Sequence, residues 1–219
     1  HDRFQVTYKL PKSETEGLHT PVSYGFVDDN NTIWLCNQRN IYLYDSDTKK
    51  TVTIKNEINE SITDIEQIDA THYFIGTDVG VHYAELKNDI LALSPCEKLD
   101  TLRLQINELF FNKGSRKIFI GTFQRGIYVY DLNLHKAFHV KSGLIDVSIN
   151  RICTFGENEI LIATDGAGVY KMNVDTYQSE PYIVADFNRY NAMNGNTIYD
   201  IYVDDEQRIW MANYPIGIT

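Results

Sequence analysis

The amino-acid sequence predicts an all-β protein built from a repeated four-stranded antiparallel unit. One pattern of strands and turns occurs five times along the 219 residues. A large apolar residue stands at the equivalent position of each copy, with spacings of 40, 45, 42 and 49 residues, namely Trp34, Phe74, Phe119, Leu161 and Trp210. These spacings are typical of the blades of a β-propeller. No stretch of useful length shows the apolar period of a helix.

Each copy contains the same three segments. The first strand carries aliphatic residues three positions apart, the second pairs large apolar residues before a small residue and Thr or Asn, and the third contains Tyr. On this pattern a partial β-propeller spans residues 1–219, with blades at 22–55, 62–95, 106–141 and 149–184 and an incomplete blade at 198–219. Residues 1–18 are assigned to the outer strand of a preceding blade, because 4–8 and 17–18 resemble 138–140 and 143–144.

The strands of a blade have different expected roles. We expect the first strand to be innermost and to line a central channel, and the second to pack its large apolar residue on the next blade. The small residue after it, such as Gly121, is expected to allow close approach of the neighbouring backbone. The polar segments 28–31 and 204–207 have the chemistry of tight turns between the first and second strands.

About four and a half blades are therefore predicted. Covering an exposed blade face of ~500 Å² would contribute up to about 12 kcal/mol, which rivals the stability of a whole domain. We therefore expect the remaining blades of the same protein, or a second copy, to cover the ends. The alternative is a closed five-bladed ring, in which residues 4–8 complete the sheet begun by 198–219.

Composition excludes several classes of function. The net charge is −10 and no basic stripe offsets it, so direct contact with nucleic acid is not expected. Apolar runs such as 160–163 are far too short to span a bilayer. Cys36, Cys96 and Cys153 have spacings that fit neither a disulfide framework nor a zinc cluster.

The sequence contains little that suggests catalysis. None of the six histidines has metalloprotease spacing or lies beside a nucleophile turn. The acidic segments 28–29 and 204–206 could suggest calcium, but the other copies lack them, so they are interpreted as hairpin turns. Residues 165–168 lack the Lys-Ser/Thr of a phosphate-binding loop and are interpreted as another hairpin. No metal, cofactor or catalytic residue is predicted.

The repeat resembles the regulator propeller repeat, which builds the sensor regions of hybrid two-component systems in polysaccharide-degrading gut bacteria. The resemblance covers nearly the whole chain and is clearest for residues 196–219, with Ile209-Trp-Met-Ala-Asn213 at its centre. Two copies depart from the pattern. Phe74 and Leu161 replace Trp, and Ala84-Glu85 and Lys171-Met172 replace the closing Tyr-Asp.

The resemblance implies several properties that the residues alone do not show. It implies seven-bladed propellers in the periplasmic region of an inner-membrane sensor histidine kinase, which works as a homodimer. It also implies an oligosaccharide ligand released from a dietary or host glycan. This chain would then contribute part of the ligand platform and no enzymatic activity.

The predicted ligand-binding residues lie on one rim of the propeller. The turns between second and third strands and the links into the innermost strands share that rim, which surrounds the mouth of the channel. Planar polar groups and aromatic rings suit sugars, and arginine also suits uronate or sulfate groups. The candidates are Gln38, Arg39, Gln124, Arg125, Arg189, Tyr190 and Tyr214.

Two alternatives to the sensor remain open. The first is a protein-interaction scaffold of WD-repeat type, although the Gly-His and Trp-Asp signatures are absent. A propeller glycan lyase or hydrolase would need converging acids or a Tyr/His base, and Asp165 is the acid clearly placed in such a turn.

Overall fold

A computed structural model of the chain describes residues 22–94, 99, 102–186, 193, 195–215 and 217–218. These residues form nineteen β-strands in five antiparallel sheets, and the described part contains no helix. Within that part, accordingly, no helix is long and apolar enough to cross a membrane. The all-β prediction is confirmed.

The chain divides into two compact units, residues 1–61 and 62–219. The first unit contains sheet 1, whose strands are β1 (Tyr24–Val27), β2 (Thr32–Cys36), β3 (Asn40–Asp45) and β4 (Thr51–Lys55). Its strands are ordered as they follow in the chain, each antiparallel to the one before.

The second unit contains four sheets with the same sequential order. Sheet 2 comprises β5 (Ile62–Gln67), β6 (His72–Thr77), β7 (Val81–Lys87) and β8 (Ile90–Ser94). Sheet 3 comprises β9 (Ile106–Asn112), β10 (Lys117–Thr122), β11 (Ile127–Asp131) and β12 (Lys136–His139). Sheet 4 comprises β13 (Ile149–Phe155), β14 (Glu159–Thr164), β15 (Val169–Asn173) and β16 (Ser179–Ile183). Sheet 5 comprises β17 (Thr197–Val203), β18 (Ile209–Tyr214) and β19 (Gly217–Ile218).

An aspartate organises the turn between the first and second strands. Asp28 Oδ1 accepts the backbone N–H groups of Asn30 and Thr32, both at 2.9 Å, and Asp28 Oδ2 accepts the indole N–H of Trp34 at 3.1 Å. Asp204 makes the same contact with the indole of Trp210 at 2.9 Å. The hairpin interpretation of both acidic segments is therefore confirmed, and it explains why each aspartate stands six residues before a tryptophan.

The turn after the third strand has its own acceptor. The side chains of Asp45, Asp131 and Asn173 each accept backbone N–H groups from the residues two and three positions later. Because Ile160 pairs with Met172 and Ile118 with Tyr130, the residues equivalent to the closing Tyr-Asp of sheet 4 are Met172-Asn173. The prediction that Lys171-Met172 replace the closing Tyr-Asp in sheet 4 was therefore wrong by one position.

Large apolar residues of the second strands join neighbouring sheets of the second unit. Phe119 of sheet 3 packs with Ile149 and Ile152 of sheet 4, and Leu161 of sheet 4 packs with Ile198 of sheet 5. Phe119 and Leu161 are fully buried. The first strands of consecutive sheets also lie next to one another. The predicted packing of the second strand on the next blade is confirmed in this unit, and the lining of a central channel by the first strands stays a prediction.

The small residue on the second strand allows a close contact, but with a side chain. A Cβ at Gly121 would lie 2.7 Å from Ile149 Cγ2, and a Cβ at Gly76 would lie 2.8 Å from Ile106 Cγ2. Both isoleucines begin the inner strand of the following sheet. The need for a small residue at this position is therefore confirmed. The prediction that a neighbouring backbone approaches it was wrong, because the close neighbour is an isoleucine side chain.

Side chains of the inner strands also connect consecutive sheets. Asp64 Oδ2 accepts the backbone N–H of Leu109, and Glu66 Oε1 accepts that of Phe111 at 2.9 Å. Glu108 of sheet 3 repeats the pattern, because its Oε1 accepts the N–H of Ile152 in sheet 4 at 3.3 Å. Acidic side chains therefore hold the backbone of the next inner strand at two successive junctions.

Amide side chains add a second connection in the opposite direction. Asn107 Nδ2 donates to the carbonyl of Ile149 at 3.0 Å, and Asn150 Nδ2 donates to that of Ile198 at 2.9 Å. The inner strand of sheet 3 therefore both donates hydrogen bonds to the inner strand of sheet 4 and accepts them from it. These side chains add hydrogen bonds between consecutive sheets to those within each sheet.

Burial of the acidic groups changes their titration. Burial raises the pKa of Glu66 to about 7, against the opposing effect of the hydrogen bond from Phe111. The pKa of Glu108 is raised well above its usual range, mainly by burial and then by the negative charge of Asp64. Both carboxyl groups therefore keep their proton to a higher pH in the folded protein than in the unfolded chain.

This shift predicts that the substitution Glu66→Gln stabilises the protein at alkaline pH. Glu66 titrates near 4.5 when unfolded and near 7 when folded, so the folded state loses stability as the pH rises between these values. We expect Glu66→Gln to raise the free energy of unfolding by about 1–3 kcal/mol at about pH 8, and to leave it unchanged at about pH 4. Denaturant unfolding at both pH values measures the difference.

Glu85→Gln is the matched control. The hydrogen bond from Lys87 lowers the pKa of Glu85, so removing this carboxylate should slightly reduce stability at about pH 8. An equal gain in both variants would contradict the assignment of the effect to the burial of Glu66.

Candidate ligand-binding rim

The turns and links at one end of sheets 3 to 5 form a connected surface, called here the rim. It comprises the turns 122–126 and 164–168, the links 144–148, 183–186 and 195–197, and Tyr214, which pairs with Thr197. Phe123 N donates to the carbonyl of Gln105, and Gln124 N donates to Ser148 Oγ, both at 3.0 Å. Asp165 N donates to the carbonyl of Ser148 at 3.0 Å. Ser148 therefore joins two neighbouring turns.

The second of these turns is tied to sheet 5. The backbone N–H groups of Gly166 and Gly168 both donate to the carbonyl of Asn196, and Thr197 Oγ1 donates to Asp165 Oδ1 at 3.0 Å. Hydrogen bonds thus run without interruption from sheet 3 to sheet 5. The rim is a fixed platform rather than a set of independent loops.

Threonine and glycine shape each turn. Thr122 Oγ1 donates to the carbonyl of Gly126 at 2.7 Å, and Thr164 Oγ1 does the same to Gly168 at 2.6 Å. Gly126 has a φ of +67°, and a Cβ there would lie 2.2 Å from the carbonyl oxygen of Leu144. Only glycine therefore lets the turn reach the link.

The turn 122–126 exposes three consecutive side chains. Phe123, Gln124 and Arg125 are all exposed. The carbonyl of Arg125 accepts a hydrogen bond from His139 Nε2 at 2.9 Å, and the ring of His139 stacks on Tyr128 with centroids 4.4 Å apart. The backbone beneath Arg125 is thereby fixed while its guanidinium faces solvent.

Tyr214 lies at the sheet 5 end of the rim. Its backbone pairs with Thr197, and its exposed ring contacts that of Tyr199 edge-on at 6.3 Å. Within the described part of the chain, no hydrogen bond or ring contact joins Tyr214 to Gln124 or Arg125. They belong to the same connected rim but not to one contact cluster.

The other predicted residues have different placements. Gln38 and Arg39 are exposed in the β2–β3 turn of the first unit, where Asn37 Oδ1 accepts the backbone N–H of Arg39 at 2.8 Å. Arg189 and Tyr190 lie outside the described residues. Ligand binding by all seven residues stays a prediction.

The structure also contains a groove that the sequence did not indicate. It lies between β12 with its following link and the outer part of sheet 4, with a volume of about 940 Å³. The rings of Phe138 and Tyr177 meet edge-on at 5.1 Å, and Lys171 lies 3.3 Å from Glu159 and 3.4 Å from Glu180. Its lining includes Phe138, Lys141, Lys171, Tyr177, Ser179 and Glu180. The sequence candidates came from turns and links, whereas this groove is lined by residues of the outer strands and their links. The outer strands are the most variable part of the repeat, so the repeat pattern did not indicate the groove.

The chemistry of the rim comes from its polar and aromatic side chains. Among the residues that the structure describes, no three His, Cys, Asp or Glu side chains are grouped so that they could hold a metal ion. The rim instead offers a guanidinium, an amide, a carboxylate and exposed aromatic rings. These groups suit recognition of hydroxyl groups and of apolar sugar faces.

Comparison with known proteins supports the interpretation of the repeat. Residues 192–214 match the family described as the two-component regulator propeller. This segment of the chain is similar to the repeats of that family. It contains the β17–β18 hairpin with Asp204 and Trp210, which is the copy that resembled the regulator propeller repeat most in sequence. No curated protein matches the chain significantly.

Solved structures with a similar fold include extracellular domains of signalling proteins. The extracellular domain of the hybrid two-component system BT4673 from B. thetaiotaomicron has a TM-score of 0.74 at 21% identity, covering 96% of this chain and 28% of that one. The corresponding domain of BT3049 from the same organism has a TM-score of 0.73 at 18% identity. The match covers 97% of this chain and 28% of that one. Neither is described as an enzyme.

A third similar structure is PorZ of Porphyromonas gingivalis, described as an essential bacterial surface component of the type-IX secretion system. Its TM-score is 0.70 at 14% identity, covering 90% of this chain and 31% of that one. With these similarities and the regulator propeller repeat, the fold class of four-stranded antiparallel propeller blades is confirmed. The chain spans less than a third of the length of these three solved structures. The total number of blades stays a prediction.

Proposed function

We propose that the chain is part of the extracytoplasmic, periplasmic sensor region of a hybrid two-component system. The observation that carries this proposal is the regulator propeller repeat at residues 192–214, within a fold shared with extracellular domains of such systems. A sensor platform needs exposed, fixed recognition groups and no catalytic centre. The hydrogen-bonded rim has these properties.

The ligand of this sensor is an oligosaccharide bound at the rim. Arg125 and Gln124 supply directional donors, and Phe123 and Tyr214 supply exposed rings for the apolar face of a sugar. The backbone beneath these groups is held by neighbouring links, so little conformational entropy is lost on binding.

The test is calorimetric titration with oligosaccharides prepared from plant and host polysaccharides. For a sugar that binds the parent chain, we expect Arg125→Ala and Tyr214→Ala each to weaken binding about tenfold or more, since each removes a contact worth about 1–3 kcal/mol. Unfolding curves should stay unchanged, because both side chains are exposed.

Lys141→Ala is the control, because Lys141 is exposed in the groove and not on the rim. If this variant weakens binding while the rim variants bind like the parent, the ligand site is the groove. Conversion of the sugar during titration would show an enzyme instead. If no sugar binds in the titrations, a protein-interaction scaffold would be favoured.

A further inference from the structure

The outer strand of sheet 2 lacks the charges that the other outer strands carry. β8 has the sequence Ile90-Leu-Ala-Leu-Ser94, in which Ile90 is 67% exposed and Leu93 is 37% exposed. The outer strands of the other four-stranded sheets contain charged residues or proline, namely Lys55 in β4, Lys136 in β12, and Glu180 with Pro181 in β16. Such residues protect the edge of a sheet against pairing with another strand. The sequence of β8 gives its edge no such protection.

The hairpin between β7 and β8 determines which backbone groups this edge presents. Asn88 and Asp89 have φ values of +50° and +63°, which is the conformation of a two-residue type I′ turn. In such a hairpin the residues that flank the turn form a hydrogen-bonded pair, and hydrogen-bonded pairs then alternate along the strands. The N–H and C=O groups of Leu91 and Leu93 therefore point away from β7, toward the outer edge of the sheet.

The lack of charge on β8 indicates what kind of strand fits this edge. The chain carries a net charge of −10, so two copies of it repel one another overall. Along β8 no such repulsion arises, because none of its side chains is charged. A charged strand would lose water at this edge without gaining an opposite charge. The edge therefore fits an uncharged apolar strand, and β8 is itself a strand of this kind.

We infer that β8 pairs antiparallel with β8 of a second copy of the chain, about a two-fold axis at Ala92. This register places Leu91 opposite Leu93 of the second copy, so the outward N–H and C=O groups of both residues become paired. The leucine side chains of the two copies then share one face of the new ladder. Two four-stranded sheets become one continuous sheet, and the open edge is closed. The pairing does not depend on a ligand at the rim.

Sedimentation of the parent chain over a range of concentrations tests the pairing. We expect a reversible equilibrium between monomer and dimer. Leu93→Lys should raise the dissociation constant about tenfold or more, because it puts like charges from both copies on the ladder. The matched control is Leu134→Lys, which changes an exposed leucine between β11 and β12 and should leave the equilibrium unchanged. Denaturant unfolding of both variants checks that they fold.

A cysteine at the proposed axis gives a second measurement. Residues that face each other across antiparallel strands without hydrogen bonds have Cα atoms about 4.5 Å apart, which a disulfide spans. Serine replaces Cys96 and Cys153 in the background chain, and the buried Cys36 is kept. In this background Ala92→Cys should form a disulfide-linked dimer on mild oxidation. Ser94→Cys should not, because Ser94 lies away from the axis.

Three results would overturn the inference. The first is a parent chain that stays monomeric at every concentration. The second is a dimer that Leu93→Lys leaves intact, since the contact would then lie on another surface. The third is equal crosslinking through Ala92→Cys and Ser94→Cys, which is incompatible with a two-fold axis at Ala92.

Discussion

Gly121→Ala is expected to lower the free energy of unfolding of the second unit by about 2 kcal/mol, because the added methyl group overpacks the junction between sheets 3 and 4. The new Cβ would lie 2.7 Å from Ile149 Cγ2 and 3.2 Å from Glu108 Cβ. Both neighbours are fixed, since Ile149 is fully buried and Glu108 is bonded to Arg151 and to Ile152. Denaturant unfolding measures the loss.

Two further variants make the prediction specific. Gly114→Ala should be close to neutral, because the nearest atom to a Cβ there is Asn112 Oδ1 at 3.6 Å. Ile149→Ala removes the colliding methyl, so combining it with Gly121→Ala should cost less than the sum of the two single changes. Strictly additive costs would show that the methyl group and Ile149 do not collide.

Asp28→Ala is expected to destabilise sheet 1 by about 2–4 kcal/mol, because it leaves a buried indole N–H and the backbone N–H groups of a tight turn without their acceptor. Asp28 is itself buried, and Trp34 is completely so. The side chain accepts hydrogen bonds from Asn30, Thr32 and Trp34. Trp34 emission, followed in a Trp210→Phe background, reports unfolding of this sheet.

Asp204→Ala is the matched comparison. Asp204 makes the same contacts with backbone N–H groups and with the indole of Trp210, but that indole is largely exposed. Water can replace the lost acceptor, so Asp204→Ala should cost clearly less stability than Asp28→Ala. Equal costs for the two variants would mean that the buried indole does not determine the effect of Asp28→Ala.

The sequence was sufficient for the order of the strands and for the large contacts between sheets. Each blade repeats one pattern, so Phe119 and Leu161 could be placed on the next sheet from their position alone. The turn chemistry around Asp28 was also predictable, because aspartate followed by polar residues favours a tight turn.

The connections between inner strands could not be predicted in the same way. A register shift follows the first residue of the inner strand in sheets 2, 4 and 5, and it changes which side chains face the next sheet. The sequence signal was nevertheless present, since Asp64, Glu108 and Asp200 stand at one position of the pattern.

The candidate site was predictable in composition but not in connectivity. Exposure of Gln124, Arg125 and Tyr214 follows from their position in turns. The contact between Tyr214 and Tyr199 depends on the register in which β17 pairs with β18, which the repeat pattern does not specify. The groove beside Phe138 was missed, because it depends on how the outer strands of two sheets diverge.

Ser148 gives the rim a property that neither turn would have alone. Its hydroxyl and its carbonyl accept N–H groups from two different turns, at Gln124 and at Asp165. If a bound molecule displaces one of these turns, either its hydrogen bond to this buried serine must lengthen or the second turn must move as well. A displacement of one turn would therefore be transmitted to the neighbouring turn. Such coupling is the first step needed to transmit a signal away from the ligand.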